Sequence, residues 1–142
     1  SPLRISLKTR LGMESPEEFA ALLALLVGAL LTNVCLKNFV ARIRPYEVVE
    51  GLRLMIERQR DYSFPSGHTA ASFASVTALY LAGEKKLWKI ALVFAVLIAF
   101  SRLYLYVHYP TDVLGGIITG AIAGYIGYKL TFIVQSKYRK KL

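Results

Sequence analysis

With 142 residues, 55% of them hydrophobic and only 19% charged, the chain is too apolar for an ordinary soluble domain of its size. A formal net charge of +9 would suit nucleic acid, but the basic residues gather at the ends of apolar runs rather than on one polar face. That pattern excludes a nucleic-acid partner and favours a membrane bilayer with anionic headgroups. The single cysteine, Cys35, excludes an intrachain disulfide and reads as a small buried residue within an apolar run.

Residues 1–18 are polar, first basic at Arg4, Lys8 and Arg10, then acidic at Glu14, Glu17 and Glu18, and are too charged to span a membrane. Ser1 stands where an initiator Met would, which marks a processed chain or a fragment. Phe19 to Leu36 is an uncharged run of 18 residues, about 27 Å as a helix and near the minimum for a bilayer. Asn33 within it is expected to hydrogen-bond between helices. A charged connector follows over 38–63, where Pro45 argues against continuous helix. Its Arg42, Arg53, Arg58 and Arg60 read as solvated or headgroup-facing charges.

The second apolar run, Pro65 to Gly83, is rich in Ala, Ser and Thr and opens on Phe64-Pro65-Ser66-Gly67-His68-Thr69. Pro65 restrains the entry, Ser66 can cap the helix that follows, and Gly67 lets a ligand approach the backbone. A helix N-terminus of this kind is an anion site, with His68 in its first turn. The charged turn Glu84-Lys85-Lys86 leads to the third run, Leu87 to Val107, which carries Lys89 near its start and Arg102 near its end. Pro110 breaks the pattern before the fourth, Val113 to Val134, where Lys129 can snorkel. A basic tail over 135–142 ends the chain.

Four such runs predict one all-α domain, a transmembrane helical bundle of four apolar helices. Small-residue stripes at Ala70, Ala74, Ala78 and at Gly116, Gly120, Gly124 predict that the second and fourth helices are tight neighbours. Up-and-down threading places Lys37, Arg44, Ser66 to His68, Arg102, His108 and Asp112 on one membrane face. The opposite face takes most of the 18 lysines and arginines, so the tail is expected in the cytoplasm and the motif face outside. Tyr46, Tyr62, Tyr104, Tyr106 and Tyr109 suit the outer interface.

Three clusters thus converge: Lys37-x6-Arg44-Pro45, Pro65-Ser66-Gly67-His68, and Ser101-Arg102-x5-His108-x3-Asp112. Taken singly, Lys37 and Arg102 read as snorkelling anchors, His108 as an interfacial histidine and Asp112, with Thr111 competing, as a helix cap. Jointly they supply three cations, a backbone N–H cradle, two imidazoles and a carboxylate. That inventory suits phosphoryl transfer through a covalent intermediate. Cations and N–H groups neutralise phosphate oxygens, one neutral histidine attacks phosphorus with its ring held by the carboxylate, and the other donates a proton to the leaving oxygen.

In order and internal spacing the clusters resemble the signature of the type 2 phosphatidic acid phosphatase superfamily, over Lys37 to Asp112. The resemblance implies that His108 is the nucleophile that becomes phosphohistidine, Asp112 its orienting partner and His68 the general acid. It implies that Lys37, Arg44, Ser66, Gly67 and Arg102 bind phosphate, and that neither metal nor cofactor is required. Asp61, the other carboxylate near the site, makes no metal-ligand set. Membrane members of this family resemble six-helix bundles, two helices more than this chain holds. Either the chain is a trimmed or naturally short form, or a homodimer covers the missing surface.

The expected function is hydrolysis of a lipid phosphomonoester or pyrophosphate at the outer face of a bacterial cell membrane. Undecaprenyl pyrophosphate, phosphatidylglycerophosphate and phosphatidic acid are the candidate substrates. The alternatives are a vanadate-holding haloperoxidase, whose relatives are soluble and much larger, and a non-catalytic lipid-phosphate-binding membrane protein, which the presence of His108 disfavours.

Overall fold

The computed structural model describes residues 16–140. The polar segment expected over 1–18 falls almost entirely outside them, as does Lys141 of the basic tail. The first helix, α1 (Pro16–Ala29), runs without a break through a π-helical stretch, Leu30–Leu36, into the short α2 (Lys37–Val40). One further short helix, α3 (Pro45–Val48), lies in the connector. The long helices α4 (Gly67–Leu81), α5 (Leu87–Tyr104) and α6 (Pro110–Lys140) follow. The all-helical bundle expected from the sequence is therefore the observed fold.

Among the described residues, three helical segments are long and apolar enough to cross a membrane: Glu17–Val48, Leu87–Tyr104 and Pro110–Lys137. The remaining apolar run, expected as a fourth span, forms a helix of 15 residues. That is about 22 Å against a hydrocarbon core of about 30 Å. This short α4 sits at the centre, packed against α1, α5 and α6, while α6 also packs along α1.

Close approach is what the small residues provide. Lipid tails are as apolar as Leu, so helices gain nothing from hiding apolar surface and must gain from backbone-to-backbone contact. Ala20, Ala24, Ala74, Ala78 and Ala123 are all fully buried where α1, α4 and α6 meet. A methyl group on Gly116 would lie 2.7 Å from Ser66 O, and one on Gly124 the same distance from Ala74 O. At Gly120 it would collide with the Ala70 carbonyl, and at Gly127 it would lie 2.5 Å from Ala24 N. The stripe expected to join the second and fourth apolar runs does so, and Gly127 extends the same packing to α1.

The π-helical stretch sets the register of the first rod. Ala20, Ala24, Gly28 and Thr32 are buried at intervals of four, and the next buried position is Lys37, at an interval of five. The Lys37 N–H reaches back to Thr32 O, the wider hydrogen bond of a π turn. Without that extra residue Leu36 would face α4, and Lys37 would turn away from it.

Two sequence expectations are corrected here. Cys35 is exposed on the outside of the bundle rather than buried. Tyr46 is not an interfacial side chain: it is 3% exposed, and its hydroxyl donates to Gln59 O and accepts from Gln59 N–H, which folds the connector back on itself.

Substituting Ala for Gly120 should therefore lower the thermal midpoint of the detergent-solubilised protein, with overpacking of about 1–3 kcal/mol. Ile122→Ala, on the exposed face of the same helix, should leave it nearly unchanged.

Candidate active site

The three motif clusters meet where α2 ends, α4 begins and the α5–α6 loop turns. Two residues with left-handed backbone mark the bends, Ala41 (φ 50°) after α2 and Tyr106 (φ 61°) after α5. Both are non-glycine residues held in a sparsely populated region, a strain that persists only where the surroundings fix it. The first bend aims Arg42 and Arg44 back at the bundle, and the second precedes His108.

Asp112 joins the segments. Its side chain is fully buried in the first turn of α6. Oδ2 accepts the Tyr109 N–H at 2.8 Å, while the Asp112 N–H donates to Tyr109 O, a capping arrangement that starts the helix. The same Oδ2 accepts the Ser63 hydroxyl, and Oδ1 accepts Arg42 Nη1 at 2.8 Å. Its carbonyl accepts the Ser66 N–H at 3.0 Å, which ties the start of α4 to the start of α6. Asp112 therefore caps α6, as one reading of the sequence expected.

His108 is buried, with Nδ1 3.4 Å from Asp112 Oδ2, close enough for charge pairing although outside hydrogen-bond geometry. Its Nε2 lies 3.2 Å from Arg44 Nη1. A guanidinium only donates, so Nε2 must carry the lone pair and Nδ1 the proton. Burial pushes the imidazole below its usual 6.5; Asp112 pulls it upward, and Arg44 and Lys37 push it down again.

The cations of the site are paired within the protein. Lys37 and Arg44 are both buried, and both bind Asp61, Lys37 through Oδ2 and Arg44 Nη2 through Oδ1 at 2.7 Å. Arg44 also donates from Nε to Asp61 O and from Nη1 to Val107 O, each at 3.0 Å. The two cations outweigh the upward push of burial and hold the Asp61 carboxyl below the usual carboxylate range.

At the start of α4, Ser66 is the N-cap expected from sequence: its hydroxyl accepts the Thr69 N–H at 3.4 Å and pairs with Thr69 Oγ1 at 2.9 Å. The Ala70 N–H goes to Ser66 O, and Gly67 and His68, whose N–H groups precede the first intrahelical bond, line the cavity described below. A methyl on Gly67 would stand 3.9 Å from Lys37 Nζ and from Asn33 Oδ1, so the glycine keeps that space open.

A cavity of about 310 Å³ brings Lys37, Arg44, Gly67, His68 and His108 together with Asp61. It continues along α1 and α4 past Thr32, Gly28, Ala71 and Leu25. Leu25 precedes Lys37 by 12 residues, about 18 Å along a helix. Asn33, expected to bond between helices, lines this cavity. Arg102 is not part of the lining. It is buried with its Nε lacking a hydrogen-bond partner, near enough for its charge to act on His68. Among the described residues, no three His, Cys, Asp or Glu side chains cluster as a metal set.

Sequence reasoning missed two participants, Arg42 and Ser63, and placed Asp61 near the site without its role. Arg42, read as a solvated charge, is a partner of Asp112 and also donates to Thr111 Oγ1 at 2.6 Å, beneath the rings of Phe64 and Tyr109. Ser63 is fully buried against Asp112, and Asp61 bridges the two cations. The spacing of Asp61 and Ser63 before Pro65 carried no signal of its own.

Because the neutral imidazole dominates above its pKa, His108 should stay neutral to below pH 6.5. Imidazole NMR of selectively labelled protein should give a midpoint under that value, and Asp112→Asn should lower it further by removing the upward pull. A midpoint above 6.5 would contradict the electrostatics described.

Among known proteins, an undecaprenyl-diphosphatase of Sulfolobus acidocaldarius is 32% identical over 94 residues, 66% of this chain and 46% of that protein. Phosphatidylglycerophosphatase B of Bacillus subtilis is 37% identical over 102 residues, 65% and 47% of the two chains. The crystal structure of Aquifex aeolicus LpxE matches with a TM-score of 0.69 and 33% identity, over 90% of this chain and 74% of that one. This chain spans about half the length of the curated relatives it matches. The PAP2 superfamily matches residues 18–135, which include every motif residue. An integral membrane protein by its helices, the chain belongs to the PAP2 superfamily.

Proposed function

We propose that this chain is a lipid phosphatase that hydrolyses a phosphomonoester or diphosphate on a membrane lipid through a phosphohistidine. The observation that carries this reading is the single cavity in which a buried His108 presents its Nε2 lone pair beside Arg44, Lys37, His68 and the first N–H groups of α4. A bound phosphate takes its charge neutralisation from Lys37, Arg44, Arg102 and the Gly67 N–H. Arg44 Nη1 turns from Nε2 to a phosphate oxygen, which frees the lone pair. Nε2 then attacks phosphorus, the P–O bond to the lipid breaks, and His68 gives its proton to the departing oxygen. Asp112 stabilises the cationic ring that results. Water, deprotonated by His68, attacks phosphorus next, the P–N bond breaks, and inorganic phosphate and neutral His108 are restored. Ser66 serves this site through the cap that aims the α4 N–H groups.

The lipid reading rests on the shape of the cavity, which continues from the charged end past Gly28, Ala71 and Leu25. Such a groove suits one chain of a substrate entering from the bilayer. Undecaprenyl pyrophosphate, phosphatidylglycerophosphate and phosphatidic acid all present the required group. The excess of basic residues at the opposite helix ends favours a cytoplasmic tail and an extracytoplasmic site.

Phosphate release by the purified chain, with chelator present, tests the reading across those three substrates. His108→Ala should reduce release to background while vanadate still raises the thermal midpoint; full activity in this variant would remove the nucleophile assignment. Ala71→Phe should raise KM several-fold for a long-chain substrate and leave a short soluble phosphate ester unaffected. Equal effects on both would argue against the groove.

A further inference from the structure

We propose that Asp61 is a displaceable counter-ion that occupies the phosphate's place on Lys37 and Arg44 and competes with substrate and product for them. The inference rests on the reading of these two cations as phosphate ligands. Its two carboxylate oxygens do what two phosphate oxygens would do, one on Lys37 Nζ and the other on Arg44 Nη2. The cations are buried, their side chains only 6% and 4% exposed, while that of Asp61 is 49% exposed. A buried cation pair left unneutralised is unfavourable, so an internal anion that holds it between turnovers stabilises the empty site. The carboxylate also has room to withdraw. A second space of about 410 Å³, lined by Asn33, Asn38, Arg60 and Tyr62, also borders the Lys37–Asp61 pair. Arg60, exposed in that space, offers the displaced carboxylate a cation.

The consequence is kinetic. An arriving lipid phosphate exchanges with Asp61 rather than filling bare charges. After hydrolysis, the returning carboxylate opposes retention of inorganic phosphate. No bond is made or broken in this step; it exchanges one anion for another on the same two cations.

Inhibition by inorganic phosphate and by vanadate, in wild type, Asp61→Asn and Lys37→Met, decides the matter. Asp61→Asn should lower the inhibition constant for phosphate roughly ten-fold, the order expected for one charged contact no longer displaced. It should also enlarge the thermal shift given by vanadate, with no gain in kcat. An unchanged or raised constant in Asp61→Asn would overturn the proposal and make Asp61 a residue that positions the cations. Should the Asn variant not fold, Asp61→Ala carries the same expectation. Lys37→Met reports on the underlying reading. A raised constant there, with no tightening in Asp61→Asn, overturns only the displacement. No change in Lys37→Met removes both.

Discussion

A single carboxylate sealed from solvent, that of Asp112, holds three separate pieces of chain together. Asp112 takes hydrogen bonds from Arg42 of the connector, from Ser63 just before the second motif and from the N–H of Tyr109, and its carbonyl takes the N–H of Ser66. His108 stands against the same oxygen that Ser63 and Tyr109 use. A buried anion is tolerable only when so fully satisfied, and the same bonds that satisfy it fix the geometry of the site. Remove the carboxylate and the donors on three segments lose their shared acceptor. The precision of the site is therefore a by-product of solvating one charge with protein groups.

That hub can form only because the helices beneath it touch. Gly116 lies against Ser66 O, one turn below the carbonyl of Asp112 that holds the Ser66 N–H. The glycine stripe of α6 thus sets the distance over which the polar contacts must reach. Packing in the membrane and chemistry at its surface are consecutive turns of the same helix pair, so a methyl group added below is expected to disturb the hydrogen bonds above.

Much of this was legible in the sequence, because its signals are local. Pro65, Ser66 and Gly67 announce a capped helix start, the glycines repeat at intervals of four, and the chemical groups cluster at the ends of apolar runs. The alternation of runs then brings Lys37, Arg44, His68 and His108 to one end. What could not be read depends on side chains meeting across long separations. Arg42 looks like any solvated arginine until the bend at Ala41 turns it onto a residue 70 positions away. Ser63 and Asp61 belong to a polar connector whose fold hangs on Tyr46 and Gln59. The π turn that rotates Lys37 inward leaves no mark in an uncharged run, where period 3.6 and period 4.4 look alike. Cys35 is exposed for the same reason, since the face of a uniformly apolar helix is chosen by its neighbours.

The proposed chemistry turns on a covalent bond from the buried Nε2 of His108 to phosphorus. Rapid quenching of the solubilised chain during turnover of a ³²P-labelled lipid phosphate tests it most directly, with the labelled peptide mapped afterwards. Label is expected on the peptide that carries His108, stable in alkali and lost in acid as a phosphoramidate must be. Label on a carboxylate or hydroxyl residue would contradict it, as would steady turnover by the folded enzyme with no label at any quench time.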